Sequence, residues 1–204
     1  DGDIIGVSWG TTIYNMALNL KHKALKGVQI VQLKGGISHS QSNTYAYEVV
    51  ELFSEAFSTV GRYLPLPVMF DTAQIKELIE RDKHIKKILD LGRQANIAVF
   101  TVGTVKNDAL LFRLGYIDKK DRDIIQNRAV GDICSRFIDA KGNICDKELD
   151  ERTVEIKLED LKEKEKRVLV AGSKRKISAI KATLVGEIAN ILITDQYTAQ
   201  ELLK

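Results

Sequence analysis

Six short apolar runs, most of them unbroken rather than alternating, constrain this chain more than any other feature: "DIIGVSW" (3–9), "VQIVQL" (28–33), "PVMF" (67–70), "IAVFTVG" (97–103), "RVLVAG" (167–172) and "NILITD" (190–195). A strand with one wet face alternates apolar and polar residues, so continuous apolarity means that both faces are covered, as in a parallel sheet between helix layers. Helical patterns fall between the runs: "TTIYNMALNLKH", "NTYAYEVVELFSEAFSTV", "TAQIKELIERDKHIKKILDLGRQ", "SKRKISAIKATLVG" and "QYTAQELLK". Strand then helix, repeated, gives an α/β fold: a doubly wound, mostly parallel sheet with right-handed crossovers. At 204 residues and 44% hydrophobic content the chain can bury a full core, and a single domain over 1–204 is expected.

One stretch breaks the rhythm. In "GDICSRFIDAKGNICDKELDERTVEI" (131–156) two short alternating runs flank "AKGN", which predicts a small antiparallel hairpin carried as an insertion. The run "KLEDLKEKEKR" after it reads as a solvated helix and turn.

Charge and composition narrow the function. Lysine and arginine number 31 against 28 acids, a net charge of +3, too slight for this stretch alone to hold nucleic acid. No apolar run approaches the roughly 18 residues of a membrane span, and no signal-peptide pattern opens the chain. Two cysteines, Cys134 and Cys145, make neither a disulfide framework nor a metal cage and suit a reducing compartment, so a cytoplasmic location is expected. His22, His39 and His84 lie in unrelated segments, and no metal is expected. The start "DGDIIGVSW", without methionine and almost at once in a buried strand, predicts further residues before Asp1 in the full protein.

Ligands of an open α/β sheet bind outside the carboxyl ends of its strands. Here those ends are small and polar: "SWGTT" (8–12), "KGGISHSQSN" (34–43), "TVGT" (101–104), "AGSKRK" (171–176) and "TD" (194–195). Gly10, Thr11 and Thr12 set free N–H groups and two hydroxyls at a helix start, where the helix dipole favours an anion. The loop "AGSKRK" repeats the logic with Gly172, Ser173 and the cations Lys174, Arg175 and Lys176. Between them, Lys34 stands at the mouth of a buried strand, and Gly35 and Gly36 are expected to let the backbone turn close to a ligand. Asp132, after a glycine, offers a carboxylate to sugar hydroxyls or serves as a cap. Neither the P-loop nor the G-x-G-x-x-G pattern is present, so ATP and NAD are not expected, nor any other cofactor. Several such loops on one sheet edge point to a phosphorylated small ligand.

In order and spacing, "IIGVSWGTT", "VQLKGG", "NIAVFTVGT", "RAVGDICSRFIDAKGNI", "RVLVAGSKRKISAIKATL" and "NILITDQYTAQELL" resemble the effector-binding domain of SorC-family bacterial transcriptional regulators, nearly end to end. The resemblance implies a fold similar to sugar-phosphate isomerases and CoA-transferases, used as a sensor rather than an enzyme. It implies a separate N-terminal helix-turn-helix domain for operator DNA, a homo-oligomer, and a phosphorylated sugar that changes DNA binding. It places ligand phosphate and hydroxyls near Gly10, Thr11, Thr12, Gly103, Asp132 and Lys176. The position of Lys34 varies in the family, and one member has arginine there.

Within that family the chain resembles a regulator whose effector is deoxyribose 5-phosphate, the effector expected here. Its open-chain aldehyde is available to an amine, because a phosphorylated O5 cannot close a six-membered ring. A neutral Lys34 could therefore form a reversible Schiff base with C1, its pKa lowered by burial, a nearby helix start and cations such as Lys176. The plainer role is a lysine that only pairs with phosphate or a carboxylate. A sugar-phosphate isomerase is the alternative, with Asp71, Asp132 or Asp195 as the base moving a proton between C1 and C2. A pure oligomerisation module is a third reading, and the clustered glycine and hydroxyl loops count against it.

Overall fold

The computed structural model describes residues 1–204. Its strands are β1 (Ile4–Val7), β2 (Gln29–Gln32), β3 (Gly61–Arg62), β4 (Ile97–Phe100), β5 (Val102–Gly103), β6 (Gly131–Ile133), β7 (Arg136–Ile138), β8 (Lys166–Val170) and β9 (Ile191–Ile193). The helices are α1 (Thr11–Ala17), α2 (Ala46–Phe57), α3 (Ala73–Glu80), α4 (Lys83–Gln94) and α5 (Leu110–Arg113), followed by α6 (Lys119–Arg128), α7 (Lys147–Arg152), α8 (Leu158–Lys162), α9 (Ile177–Val185) and α10 (Gln196–Leu202). A single 3-10 turn, Lys174–Lys176, leads into α9.

Six strands form one sheet in the order β3-β2-β1-β4-β8-β9, every neighbouring pair parallel. The expected doubly wound α/β fold is therefore present. Successive side chains of a strand point to opposite faces, and both faces are dry here. On β4, Ile97 and Val99 belong with the layer that holds Val7 and Val49, while Ala98 and Phe100 belong with the layer of Leu161 and Ile180. β8 repeats this, with Val168 and Val170 on one side and Leu169 on the other. That division is why the runs carry no alternation in sequence.

Three sequence expectations change in the structure. "PVMF" (67–70) joins no sheet. Pro67 and Met69 make only isolated bridges, to Ile37 and Thr153, and the outer strand is instead Gly61–Arg62. The long helical pattern 72–94 is two helices, because Asp82 ends one and caps the next: its carboxylate accepts from the N–H groups of His84 and Ile85 at 2.8 and 3.1 Å. The segment 131–156 is not one hairpin around "AKGN". Its ladder joins β6 to β7 through a two-residue turn at Cys134 and Ser135, and β5 adds a third antiparallel strand from outside the segment. Both turn residues have positive φ (51° and 71°), the backbone that matches strand twist in a tight hairpin. "AKGN" makes a second reversal, closed by an Ile138–Ile144 bridge, and α7 follows it. Cys134 and Cys145 are not bonded to each other.

Candidate functional site

The chain leaves β1 toward β2 on one side, while β4 flanks β1 on the other, so the sheet's winding reverses between β1 and β4. Loops diverge at such a point and leave a crevice. A cavity of about 430 Å³ lies there, walled by Trp9 to Thr12 after β1, Thr101 to Thr104 after β4, and Lys34, Asp132, Ser173, Arg175 and Lys176. Four basic side chains line it (Lys34, Arg113, Arg175 and Lys176) against two acidic ones, Asp108 and Asp132, a balance that suits an anionic ligand.

One wall is a helix start. Gly10, at φ 128°, turns the chain from β1 directly into α1 with no side-chain cap. The first N–H groups of α1 have no partner within the helix and face the cavity end of the dipole. Lys176 reaches this wall, its Nζ 3.4 Å from the Thr12 hydroxyl. Burial pulls its ammonium pKa down, partly offset by Asp132, while the charge of Lys34 lowers it further.

Lys34 continues β2 inward and is only 5% exposed. Its amine lies 3.6 Å from the centre of the Trp9 ring and donates to the Ser135 hydroxyl at 3.2 Å. Trp9 is fixed by its indole N–H, which donates to the Gly35 carbonyl at 2.8 Å. Burial lowers the Lys34 pKa, and Glu155 and Asp132 oppose that shift. The direction expected from the sequence is therefore present, and burial, the first cause expected, is the one that produces it.

Asp132, on β6, is held by its own hairpin turn: its carboxylate accepts from the Ser135 N–H at 3.0 Å. Burial raises its pKa, while Lys34, the Ser135 bond and Lys176 lower it. Gly103 lies opposite Asp132 across the β5–β6 ladder, and a Cβ at 103 would overlap the Asp132 carboxylate. Gly103 thus gives Asp132 room to lie over the strand.

Seven of the nine sequence-derived site residues line this one cavity: Gly10, Thr11, Thr12, Lys34, Gly103, Asp132 and Lys176. Gly35 and Gly36 do not line it. A Cβ at 35 would overlap the Pro67 carbonyl, and one at 36 would overlap Ala46, so both glycines let buried segments touch. Of the three carboxylates weighed as isomerase bases, only Asp132 lines the cavity. Asp195 is occupied as the cap of α10, accepting from the N–H and hydroxyl of Thr198 at 2.9 and 2.7 Å.

Sequence reasoning missed Trp9 and Glu155. Trp9 was absorbed into a strand run, although a tryptophan at a strand's carboxyl end is a signal that could have been used. Glu155 pairs with Lys34 in an isolated antiparallel bridge, for which no local pattern exists. It is 5% exposed, and neither carboxyl oxygen has a hydrogen-bond partner. Burial lifts its pKa well above the ordinary carboxylate value; Lys34 opposes the rise and Asp132 adds to it.

The family model described as "Putative sugar-binding domain" matches residues 1–204. A deoxyribonucleoside regulator of Bacillus subtilis is 57% identical over 203 residues, covering 100% of this chain and 65% of that protein. The chain spans just under two thirds (62–65%) of the length of the curated relatives it matches first. The solved structure of a transcriptional regulator from Streptococcus pneumoniae TIGR4 superposes with a TM-score of 0.92 at 27% identity, covering 100% of this chain and 78% of that one. The full-length sorbitol operon regulator SorC from Klebsiella pneumoniae gives 0.90 at 26% identity, covering 100% and 67%.

Proposed function

Since the chain belongs to the sugar-binding domain family of SorC-type regulators, we propose that its cavity senses deoxyribose 5-phosphate on behalf of a transcriptional repressor of deoxyribonucleoside catabolism. The phosphate is held at the start of α1 with Lys176, and C1 meets Lys34. The neutral amine of Lys34 adds to the open-chain aldehyde and forms a reversible Schiff base. Sugar binding then weakens the hold of a separate helix-turn-helix domain on operator DNA, within a cytoplasmic homo-oligomer. No turnover is required, because a ligand that favours one arrangement by a few kcal/mol suffices to shift it.

The observation that carries this reading is the placement of Lys34. A buried amine of lowered pKa faces the same cavity as a helix start and a second lysine. An amine meant only to neutralise phosphate gains nothing from desolvation, whereas one that must attack a carbonyl does. The sugar follows from the relative's name: a deoxyribonucleoside stripped of its base and phosphorylated at O5 is deoxyribose 5-phosphate.

A thermal-shift screen of phosphorylated pentoses and hexoses tests the choice of sugar. At a hundredfold excess over Kd a ligand stabilises the fold by about 2.7 kcal/mol, which is roughly 5–11 °C for a domain of this size. Deoxyribose 5-phosphate should give the largest shift. A hexose bisphosphate at the top of the screen contradicts the assignment, and sustained conversion of ribose 5-phosphate to a ketose contradicts the sensor.

A further inference from the structure

Glu155 lies behind the cavity lining rather than in it, and it is a buried carboxyl with neither oxygen bonded. It stands opposite Lys34, and the flanking hydrogen bonds, Gly35 N–H to Val154 carbonyl and Ile156 N–H to Leu33 carbonyl, both 2.9 Å, identify the close type of antiparallel pair. In such a pair the two side chains leave the ladder on the same face with their Cβ atoms about 4.5–5.5 Å apart. The backbone on the Glu155 side is fixed by Arg136, whose guanidinium donates to the carbonyls of Glu155 and Ile156, both at 2.9 Å.

We propose that Glu155 is the proton partner of Lys34: it carries the lysine's proton before the sugar adds and becomes the counter-ion of the Schiff base afterwards. The inference rests on the Schiff-base reading given above. Asp132 is less suited to the task, since its carboxylate already accepts from the Ser135 N–H and also faces Lys176. Glu155 has no such bond to its carboxyl, and Lys34 is the cation that opposes the rise in its pKa. Burial disfavours both charged forms and so favours the uncharged pair, amine and carboxylic acid, over the ion pair.

The step balances without any outside reagent. The Lys34 nitrogen bonds to C1, the carbonyl electron pair moves to oxygen, and the nitrogen's surplus proton follows it, giving a neutral carbinolamine. The Glu155 proton then goes to that hydroxyl, the C–O bond breaks, water leaves, and the nitrogen lone pair closes the C=N bond. An iminium cation remains beside the Glu155 carboxylate. The site begins and ends with no net charge on the pair, so sugar binding takes up no proton.

The pH dependence of Kd tests this, measured by calorimetry with deoxyribose 5-phosphate between pH 7 and pH 9, where the phosphate is a dianion. The groups about the pair, Asp132, Lys176 and Ser135 on the Lys34 side and Lys76, Glu80, Arg93, Lys157 and Asp160 around the recess at Glu155, are left unchanged. For the natural protein, Kd should stay within about twofold across that range, whereas in Glu155→Gln the iminium must draw its proton from solvent and Kd should weaken by about tenfold per pH unit. Borohydride trapping in parallel reports the adduct itself. If trapping succeeds and the two proteins share one pH slope, the role of Glu155 is overturned while the Schiff base stands. If the natural protein gives no adduct, both fall. Should the variant not fold, the natural protein still decides: uptake of one proton per sugar would overturn the pairing.

Discussion

Lys34→Arg is expected to weaken deoxyribose 5-phosphate binding by about 2–5 kcal/mol, or roughly 30- to 4,000-fold, while leaving inorganic phosphate binding within about threefold. Arginine carries a positive charge that it does not lose at working pH, so it cannot add to an aldehyde, and its planar fork differs in shape from the lysine nitrogen now packed on Trp9. The phosphate, held at Gly10 to Thr12 and Lys176, does not depend on the bond to C1. Calorimetric titration of both ligands checks the pair of outcomes. Equal affinity of the two proteins for the sugar would mean that Lys34 acts only as a charge.

Arg136→Ala should be the most destabilising single change at the site. Its guanidinium is 2% exposed and satisfies the carbonyls of Asp150, Glu155 and Ile156 as well as the Asp150 carboxylate. The change takes a donor from each of the buried Glu155 and Ile156 carbonyls, at about 1–3 kcal/mol apiece, and a domain of this size loses roughly 2–4 °C per kcal/mol, so the melting temperature should fall by about 4–24 °C. A thermal melt checks this. A loss near 1 kcal/mol would show that the 150–156 segment is held by its apolar contacts, not by Arg136.

The parts of the fold legible in the sequence were those buried on both faces. β4 and β8 announce themselves because each residue meets one apolar layer or the other. β3 is two residues long and has no run to read, α5 has four residues, and α6 buries only Ile125, so none leaves a periodic signature. "PVMF" misled for the opposite reason: Val68 and Met69 are buried in the core without belonging to a ladder. The β6–β7 turn escaped notice because cysteine and serine occupy left-handed positions where asparagine or glycine would have signalled a tight hairpin.

The site was legible to the extent that topology gathers strand ends. Gly10, Thr11, Thr12, Gly103 and Lys176 come from three loops that a parallel sheet must bring to one edge. Glu155 was not, since "TVEI" reads as alternation with a solvent-facing glutamate. Thr153, Val154, Glu155 and Ile156 are all buried, because the segment is covered on both sides, and only the bridge to Lys34 reveals what the carboxyl faces.

Mass spectrometry after borohydride reduction in saturating deoxyribose 5-phosphate tests the central claim most directly. One reduced sugar phosphate should be found, on the peptide carrying Lys34 and on no other lysine, and Lys34→Arg should carry none. An unmodified Lys34 under saturating ligand, or label spread over surface lysines, would contradict the account.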